Sequence, residues 1–324
     1  MPQVDFSYPT WLINTYHLIG VPAIFLNSLG IYLLIWQDGK MGFFRYYLLS
    51  FQVFCTLIDI HLTFLMQPVP LYPLQAGYSL GILTTWVFVP VHYQLMFAMA
   101  LGVMELESLV VCFAKKDQMI SRILHKPAAP LWLEAFAYIL CGITVVAIVS
   151  WPHYLRIPKS EQLGYINRTA PEYLYSIQNI ANWEIYPNGL SSQLLKIGIF
   201  LGGIVLFLVF LGYIFHIFYL MKALKLRISA STYQKHQEAV KSLMVQLATS
   251  VLCLGPPCIF VIVVVGGFEH QQFISEILLC LFATHSSINV ISLMVFFPPY
   301  QRFFVRIFRK WVDFEDLRKQ YDES

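Results

Sequence analysis

Residues 46–81 read YYLLSFQVFCTLIDIHLTFLMQPVPLYPLQAGYSLG, an apolar run that ends abruptly in a cluster of prolines. The run is long enough to cross a bilayer, which takes about 20 apolar residues in a helix. Because backbone groups in lipid must be hydrogen-bonded within the segment, the run predicts a membrane-spanning helix and the prolines its exit from the hydrocarbon. One carboxylate, Asp59, lies inside the run. An acid in a membrane helix is costly, and Asp59 is therefore a candidate functional residue.

The composition of the whole chain is that of a membrane protein. Of its 324 residues, 58% are apolar and 12% are charged, whereas soluble domains carry about 25% charged residues. The six cysteines lie inside or at the ends of apolar runs, so we expect buried thiols and no disulfide on the outer face. The sequence holds no zinc motif of the His-Glu-x-x-His type, and we expect neither a metal site nor a cofactor.

Seven segments are each apolar and long enough to cross a bilayer, so the sequence predicts an all-α membrane protein with a seven-helix bundle. They are Trp11–Trp36, Tyr46–Gln67, Ile82–Phe113, Leu131–Trp151, Leu194–Met221, Leu243–Gly266 and Phe273–Phe297. The third is longer than one crossing needs, which predicts a tilt or a continuation below the membrane. The connections are short except for the one from Pro152 to Gln193.

The positions of Lys and Arg predict the orientation of the bundle. Seventeen of the 21 basic residues lie in the tail and in the connections after the first, third and fifth spans, and three lie on the opposite side. Because cytoplasmic connections are enriched in Lys and Arg, the N-terminus is predicted outside and the C-terminus in the cytoplasm. The expected division is an extracellular N-terminus at 1–10, a seven-helix domain at 11–297 and a cytoplasmic tail at 298–324.

Two further features fit this orientation. After the seventh span, apolar side chains at helical spacing lie mainly opposite Arg and Lys, which favours a short amphipathic helix in the inner interface over an unstructured basic tail. Its apolar face holds Phe303, Phe304, Ile307, Phe308 and Trp311. The tripeptide Asn167-Arg168-Thr169, a glycosylation sequon, falls in the long connection assigned to the outside, so we expect glycosylation at Asn167.

Three polar residues are predicted to share one hydrogen-bonded layer inside the bundle. Asp59 lies near the middle of the second span, and Asn27 and Asn289 lie in the inner halves of the first and seventh. Each unpaired polar group in hydrocarbon costs several kcal/mol. Two interpretations remain open: a polar hub that rearranges during signalling, or side chains that simply hold neighbouring helices together.

The third span carries two acids, Glu105 and Glu107, which we place near its inner end. Lys115 and Lys116 follow within about 12–15 Å of helix rise. The acids are interpreted either as an inner ionic lock or transducer contact, or as interfacial charges paired with these lysines.

Two other groups of residues are candidates for gating and ligand binding. Pro256 and Pro257 remove backbone donors within the sixth span and predict a kink, which would suit a receptor switch and a transporter gate equally. Thr85, Trp86 and His92 belong to a mixture of aromatic and polar residues in the outer half of the third span. They would line a ligand cavity if they face the bundle, and otherwise serve as interfacial aromatics and packing.

The predicted layout, with seven crossings and an outer N-terminus, is that of G-protein-coupled receptors, and this architectural analogy does not by itself assign a function. The alternative class is a membrane transporter or channel, although the chain has no convincing half-to-half repeat. An enzyme is not expected, because Ser286 and Ser287 adjoin His285 on one helix and cannot form a dyad with it. No nucleic-acid partner is expected.

Three blocks of sequence resemble the nematode serpentine chemoreceptors. They are FRYYLLSFQVFCTLIDIHLTFLMQPVPLYPLQAGYSLG at 44–81, VVCFAKKDQ at 110–118 and ATHSSINVISLMVFFPPYQRFF at 283–304. The chain is most similar to serpentine receptor class I, with class H the nearest relative. The resemblance implies a multi-pass chemosensory receptor of sensory neurons, with an unknown small-molecule ligand and a heterotrimeric G protein as partners. It places the receptor in the plasma membrane, with the sensory cilium as a candidate compartment.

The chain departs from the rhodopsin-like pattern at three points. The third span ends in CFAKKD and lacks an Asp/Glu-Arg-Tyr triplet, and the seventh ends in Pro-Pro-Tyr with Asn289 well upstream. No cysteine is placed to tie the third span to the long outer connection. Roles of individual rhodopsin residues are therefore not transferred to this sequence.

Overall fold

The computed structural model describes residues 4–36, 43–127, 130–266 and 268–296, together with residues 301 and 303. Within them the helices are α1 (Thr10–Trp36), α2 (Phe44–Ile60), α3 (Ile82–Thr85), α4 (Val91–Ile123), α5 (Leu131–Leu155), α6 (Lys159–Thr169), α7 (Leu174–Gln178), α8 (Leu190–Lys225), α9 (Ala230–Gly266) and α10 (Gln271–Phe296). The strands are β1 (Pro68–Leu71), β2 (Ala76–Ser79) and β3 (Trp183–Ile185). A π-helical turn, His61–Met66, continues α2, and a short 3₁₀ turn, Pro171–Tyr173, precedes α7.

Seven of these helices form the predicted bundle, namely α1, α2, α4, α5, α8, α9 and α10. Within the described residues, six helices qualify as membrane spans by length and composition, α2 together with its π-helical turn among them. The remaining helix, α9, has no charged residue between Leu243 and Gly266, which is long enough for one crossing. The prediction of a seven-helix membrane bundle is therefore confirmed.

Helix α4 lies at the centre of the bundle. It contacts α2, α5, α8 and α9, while α1 packs on α2 and α10, and α10 packs on α9. In contrast, α5 buries only Pro152 among its 25 residues. Apolar side chains such as Ile139 and Val146 on α5 are exposed, and in a bilayer they lie against lipid tails. Residues of α4 therefore have neighbours on several helices. A polar side chain on α4 can link these helices to one another.

A small antiparallel sheet covers the outer end of the bundle, which the all-α expectation did not include. Its strand order is β1-β2-β3, and Tyr78 pairs with Val69 on one side and with Trp183 on the other. The prolines after the second span thus form a hairpin, and the long outer connection adds one strand and two helices. An apolar cluster contains Tyr16 together with residues of all three strands. The hydroxyl of Tyr16 donates to the carbonyl oxygen of Pro68 at 2.9 Å.

The third crossing begins later than the sequence analysis predicts. Helix α3 ends at Thr85, and α4 starts at Val91 after Pro90, whose φ of −60° and ψ of 140° are extended. Because proline has no N–H to donate and fits the start of a helix, Pro90 separates the two elements. Placing the start at Ile82 was therefore wrong, and every residue of this helix lies farther from its inner end than predicted.

The sixth crossing and the tail bear on two other predictions. Helix α9 continues from Ala230 to Gly266 without interruption through Pro256 and Pro257. The bend that these prolines predict stays a prediction. The amphipathic tail helix lies outside the described residues except for Gln301 and Phe303. Phe303 packs against the apolar cluster at the inner end of the bundle. Its ring centroid lies 6.3 Å from that of Tyr32.

Gly81 permits a close approach between two backbone segments, the one that leads from the β1–β2 hairpin into α3 and the end of the second crossing. Its N–H donates to the carbonyl oxygen of Met66 at 2.9 Å. A Cβ built on Gly81 would lie 2.4 Å from the carbonyl oxygen of Leu65 and 2.7 Å from the carbonyl carbon of Met66. Because these are backbone atoms, no side-chain rotation relieves the clash.

We therefore expect Gly81→Ala to lower the free energy of unfolding by about 1–3 kcal/mol, the range for overpacked sites. The measurement is the thermal unfolding midpoint of the purified receptor in detergent. Gly142→Ala is the matched control, since a Cβ at Gly142 has nothing within 4 Å. Equal midpoints for the two variants would show that the turn relaxes freely and that this close approach is not required.

Candidate functional site

A buried polar network links the first, second and seventh crossings. Asn27 donates through Nδ2 to Asp59 Oδ2 at 3.0 Å. Gln52 Nε2 and Ser286 Oγ both donate to Asn27 Oδ1, each at 2.7 Å. All four side chains are buried. The amide of Asn27 is thus the centre of the network, since it donates one hydrogen bond to Asp59 and accepts one each from Gln52 and Ser286.

Asn289 joins this network through Gln52. Its Nδ2 donates to Gln52 Oε1 at 3.4 Å, and its Oδ1 accepts from Thr249 Oγ1 at 3.1 Å. The structure therefore brings Asp59, Asn27 and Asn289 into one set of hydrogen bonds and extends the set to α9. Gln52 and Thr249 are members that the sequence analysis did not single out.

A second buried group connects α4 to α10 by an ionisable pair. Glu105 Oε1 and His285 Nε2 lie 2.8 Å apart, and both residues are at most 1% exposed. The thiol of Cys55 donates to the same Oε1 at 3.4 Å. Glu105 was placed near the inner boundary by the sequence analysis, and that interpretation is wrong. The residue lies 14 positions after Val91, about 21 Å along α4 at 1.5 Å per residue.

The hydrogen bonds of His285 determine how many protons the Glu105–His285 pair carries. Its other nitrogen, Nδ1, lies 2.5 Å from the carbonyl oxygen of Phe282, an acceptor only, so Nδ1 carries a proton. Nε2 then faces Glu105 Oε1 with one further proton between them, carried either by the imidazole or by the carboxyl group. The pair is therefore an imidazolium–carboxylate or a neutral imidazole–carboxylic acid.

Asp59 is incompletely satisfied in this arrangement. Among the described residues its Oδ1 is buried and has no hydrogen-bond partner. The carboxyl group of Asp59 also interacts electrostatically with His285 and Glu105, so the Asp59 network and the Glu105–His285 pair are close enough to influence each other. A buried carboxylate oxygen without a donor is costly.

The donor set also raises the question of a metal. The ligating atoms of Cys55, Glu105 and His285 lie within 4.8 Å of one another, and thiolate, carboxylate and imidazole are zinc ligands. Here the thiol and the imidazole are both hydrogen-bonded to the same carboxylate oxygen. Hydrogen bonds thus satisfy the three groups without a cation. The expectation that the chain has no metal site stays a prediction.

The three residues predicted to line a ligand cavity are not brought together. Thr85 is exposed at the end of α3, and Trp86 is 79% exposed. His92 is buried at the start of α4, where Nδ1 lies 2.7 Å from Tyr186 Oη and Nε2 lies 3.1 Å from His153 Nδ1. His92 therefore links α4 to α5 and to the outer connection.

The inner end of α4 has its own polar contacts. Lys116 Nζ lies 3.2 Å from His236 Nδ1 on α9, and Asp117 Oδ1 lies 2.6 Å from His216 Nδ1 on α8. Lys115 pairs with Glu134 on α5 at 2.5 Å. Helix α4 is thus tied to three neighbours at the cytoplasmic end, and the acids involved are not the ones the sequence analysis proposed.

Comparisons with known proteins agree with this architecture. A family model described as "Serpentine type 7TM GPCR chemoreceptor Sri" matches residues 2–304. The crystal structure of squid rhodopsin is similar with a TM-score of 0.57 and 13% identity, covering 96% of this chain and 88% of that one. At this identity the likeness concerns the fold alone. No curated protein matches significantly. The matched family is one of receptors, which fits a multi-pass membrane protein that is not an enzyme.

Proposed function

Since the chain belongs to the Sri family of serpentine-type seven-transmembrane chemoreceptors, we propose that it binds a small-molecule cue at its outer half and signals to a heterotrimeric G protein at its cytoplasmic face. The observation that carries this proposal is the buried Glu105–His285 pair beside the Asp59 network. Ionisable residues inside a membrane bundle are costly and mark functional sites. Here the pair and the hydrogen-bonded network together involve five of the seven crossings, α1, α2, α4, α9 and α10.

Helix α4 is the proposed route of the signal. It is continuous over 33 residues and carries polar contacts at its outer end through His92, in its middle through Glu105 and at its inner end through Lys116. A tilt or rotation of α4 that follows ligand binding on the outer side changes its middle and inner contacts together. Opening the Lys116–His236 contact would separate the inner ends of α4 and α9, the change needed to admit a G protein.

The proposal includes a location in the plasma membrane, with the sensory cilium as a candidate compartment, and glycosylation on the outer side. Asn167 is exposed on α6, in the long outer connection. We expect the wild-type chain expressed in animal cells to shift on a gel after peptide N-glycosidase treatment, because the sequon is accessible. The Asn167→Gln variant is expected to run at the deglycosylated position without treatment. A wild-type chain insensitive to the enzyme would contradict the outside assignment of this connection or the use of the sequon.

A ligand screen in cells that express the chain tests the proposed function. The readouts are calcium release and G-protein activation, with untransfected cells as the control. We expect at least one small-molecule cue to give a concentration-dependent response that requires the chain and disappears when the G protein is inhibited. A current or solute flux that persists under G-protein inhibition would contradict the proposal and favour a transporter or channel.

A further inference from the structure

A cavity of about 620 Å³ lies at the outer end of the bundle. Its walls are the N-terminal segment that leads into α1, Tyr72 in the β1–β2 hairpin, and residues 268–276 at the start of α10. All three segments lie on the side that the basic residues assign to the outside. Neither Thr85, Trp86 nor His92 lines this cavity, so it is distinct from the region that the sequence analysis considered.

The lining of the cavity carries unbalanced negative charge. It includes the carboxylates of Asp5, Glu269 and Glu276 and the imidazole of His270, and it contains neither Lys nor Arg. Among the described residues none of the three acids forms an ion pair. A potential of one sign in a partly enclosed cleft attracts counter-ions. The cavity therefore has the electrostatics of a cation site that no side chain of the described part of the protein fills.

Hydrogen bonds place two of these acids beside each other. Gln272 accepts from the backbone N–H of Asp5 at 2.9 Å and donates to Glu276 Oε1 at 3.3 Å. Hydrogen bonds from the backbone and hydroxyl of Ser7 hold the pKa of Asp5 below its ordinary value, so its carboxylate is ionised at neutral pH. Burial, with the negative charges of Glu276 and Asp5, raises the pKa of Tyr78 to about 12. Tyr78, in the neighbouring strand β2, thus lies close enough to both carboxylates to interact with them.

Aromatic rings line the same cavity. Trp11 and Phe273 lie with ring centroids 5.5 Å apart, and Tyr8 is 65% exposed. Ring faces attract organic cations, and the attraction grows as the site is desolvated. The acids are not grouped for a metal ion, because the only described cluster with metal-ligand spacing is Cys55, Glu105 and His285. Aromatic faces beside separated carboxylates suit a larger cation with an apolar body.

We propose that this cavity binds an organic cation, an amine or quaternary ammonium group carried on an apolar body, and that this is the chemical class of the cue. The inference rests on the proposed receptor function and specifies its ligand. Glu276 lies on α10 nine residues before His285, about 14 Å along the helix. A cation that pulls Glu276 towards the cavity displaces α10 and with it the Glu105–His285 contact.

Two sources supply this chemistry: a free amine from the outside, or the choline headgroup of a bilayer lipid. The binding test uses the full chain purified in a maltoside detergent without choline lipids. The probes are phenethylammonium and choline, with phenylethanol and phenylacetate as the neutral and anionic analogues of the first. We expect phenethylammonium to bind about tenfold or more tightly than phenylethanol, as expected for hydrogen bonds to charged groups, and phenylacetate to bind most weakly.

Variants assign the binding to the cavity. Glu269→Gln and Glu276→Gln are each expected to weaken phenethylammonium binding, and the double variant to weaken it about tenfold. Glu269 is exposed, so its replacement leaves folding intact even if Glu276→Gln does not. Glu161→Gln removes an exposed acid on outer helix α6, outside the cavity, and is expected to have no effect. Equal binding of the ammonium and the alcohol, no saturable ammonium binding, or an unaffected double variant would overturn the proposal.

Reconstitution distinguishes the two sources. Phenethylammonium binding is compared in nanodiscs of phosphatidylcholine and of phosphatidylglycerol. If the wild type binds phenethylammonium more weakly in phosphatidylcholine than in phosphatidylglycerol, and Glu269→Gln abolishes this difference between the lipids, the cavity is assigned to the lipid headgroup. Equal binding in the two lipids assigns it to a free amine. Ammonium binding without any G-protein response would overturn the proposed function and leave the cation site standing. A response to an uncharged cue without ammonium binding would do the reverse.

Discussion

Glu105→Leu is expected to lower the free energy of unfolding by about 3–5 kcal/mol, the effect of removing one partner from a buried ion pair. The leucine leaves His285 in the bundle core without its 2.8 Å partner and removes the acceptor of the Cys55 thiol. Ordinary hydrogen bonds between membrane helices contribute about 0.6 kcal/mol on average. Asn289→Ala removes two such bonds, the 3.4 Å bond to Gln52 and the 3.1 Å bond from Thr249, and should therefore have a smaller effect. The measurement is thermal or denaturant unfolding of the purified chain.

A double-mutant cycle separates the pair from the packing around it. His285→Leu alone should be destabilising for the same reason as Glu105→Leu. The double variant should recover much of the loss, because an apolar pair removes both desolvated groups at once. Glu107→Leu, two residues from Glu105 and only partly buried, is the control for leucine on this helix. Additive losses in the double variant would show that the two side chains do not interact in the folded protein.

Asp59→Asn is expected to weaken cue-dependent signalling about tenfold or more while surface expression stays close to that of the wild type. The substitution keeps the shape and the contact with Asn27 but removes the carboxyl group that interacts electrostatically with His285. Coupling free energies between sites in allosteric proteins are typically about 1–3 kcal/mol, or about 5–150-fold. The measurement is a dose–response curve with the cue from the ligand screen, normalised to surface-labelled receptor.

The reciprocal variant Asp59→Asn/Asn27→Asp is the matched control for this prediction. It returns one carboxylate to the same network on the opposite helix, with the same residue types overall. Partial recovery of signalling would locate the effect in the network charge. If Asp59→Asn instead reduces signalling only as far as it reduces surface expression, the residue serves to hold helices together and is not part of a switch.

The crossings and the Asn27–Asp59–Asn289 layer could be predicted because they depend on local properties. Apolar length determines a membrane span, and a polar residue inside a span must find a partner within the bundle. Asp59 is the one carboxylate between Tyr46 and Gln67, and Asn27 is the one amide in the inner half of its span, so the sequence itself marks them. The counts of basic residues add the orientation without any tertiary information.

Glu105 was misplaced because the start of the third crossing was misplaced. With an apparent start at Ile82, about 20 residues of span end near residue 101, and Glu105 then falls at the inner interface. Pro90, which carries the signal for the true start, lies inside an apolar stretch and was read as part of the helix. A helix that begins at Val91 puts Glu105 between its outer end and Ile123, where it needs a buried partner.

His285 and the outer sheet depend on pairings that local patterns do not contain. The partner of His285 lies 180 residues earlier in the chain, and only the order and rotation of the helices bring the two together. Strand β1 contains two prolines, which argue against a central strand, and it is in fact an edge strand that pairs with β2 alone. The pairing of β2 with β3 links segments on either side of two membrane crossings.

The most direct test of the buried switch is the surface-normalised response of Glu105→Gln to the cue found in the screen. Glutamine retains an acceptor for His285 but cannot hold the charge or the shared proton of the 2.8 Å pair. We expect normal delivery to the cell surface and a response weakened about tenfold or more. A Glu105→Gln receptor that reaches the surface and signals with wild-type potency would contradict it.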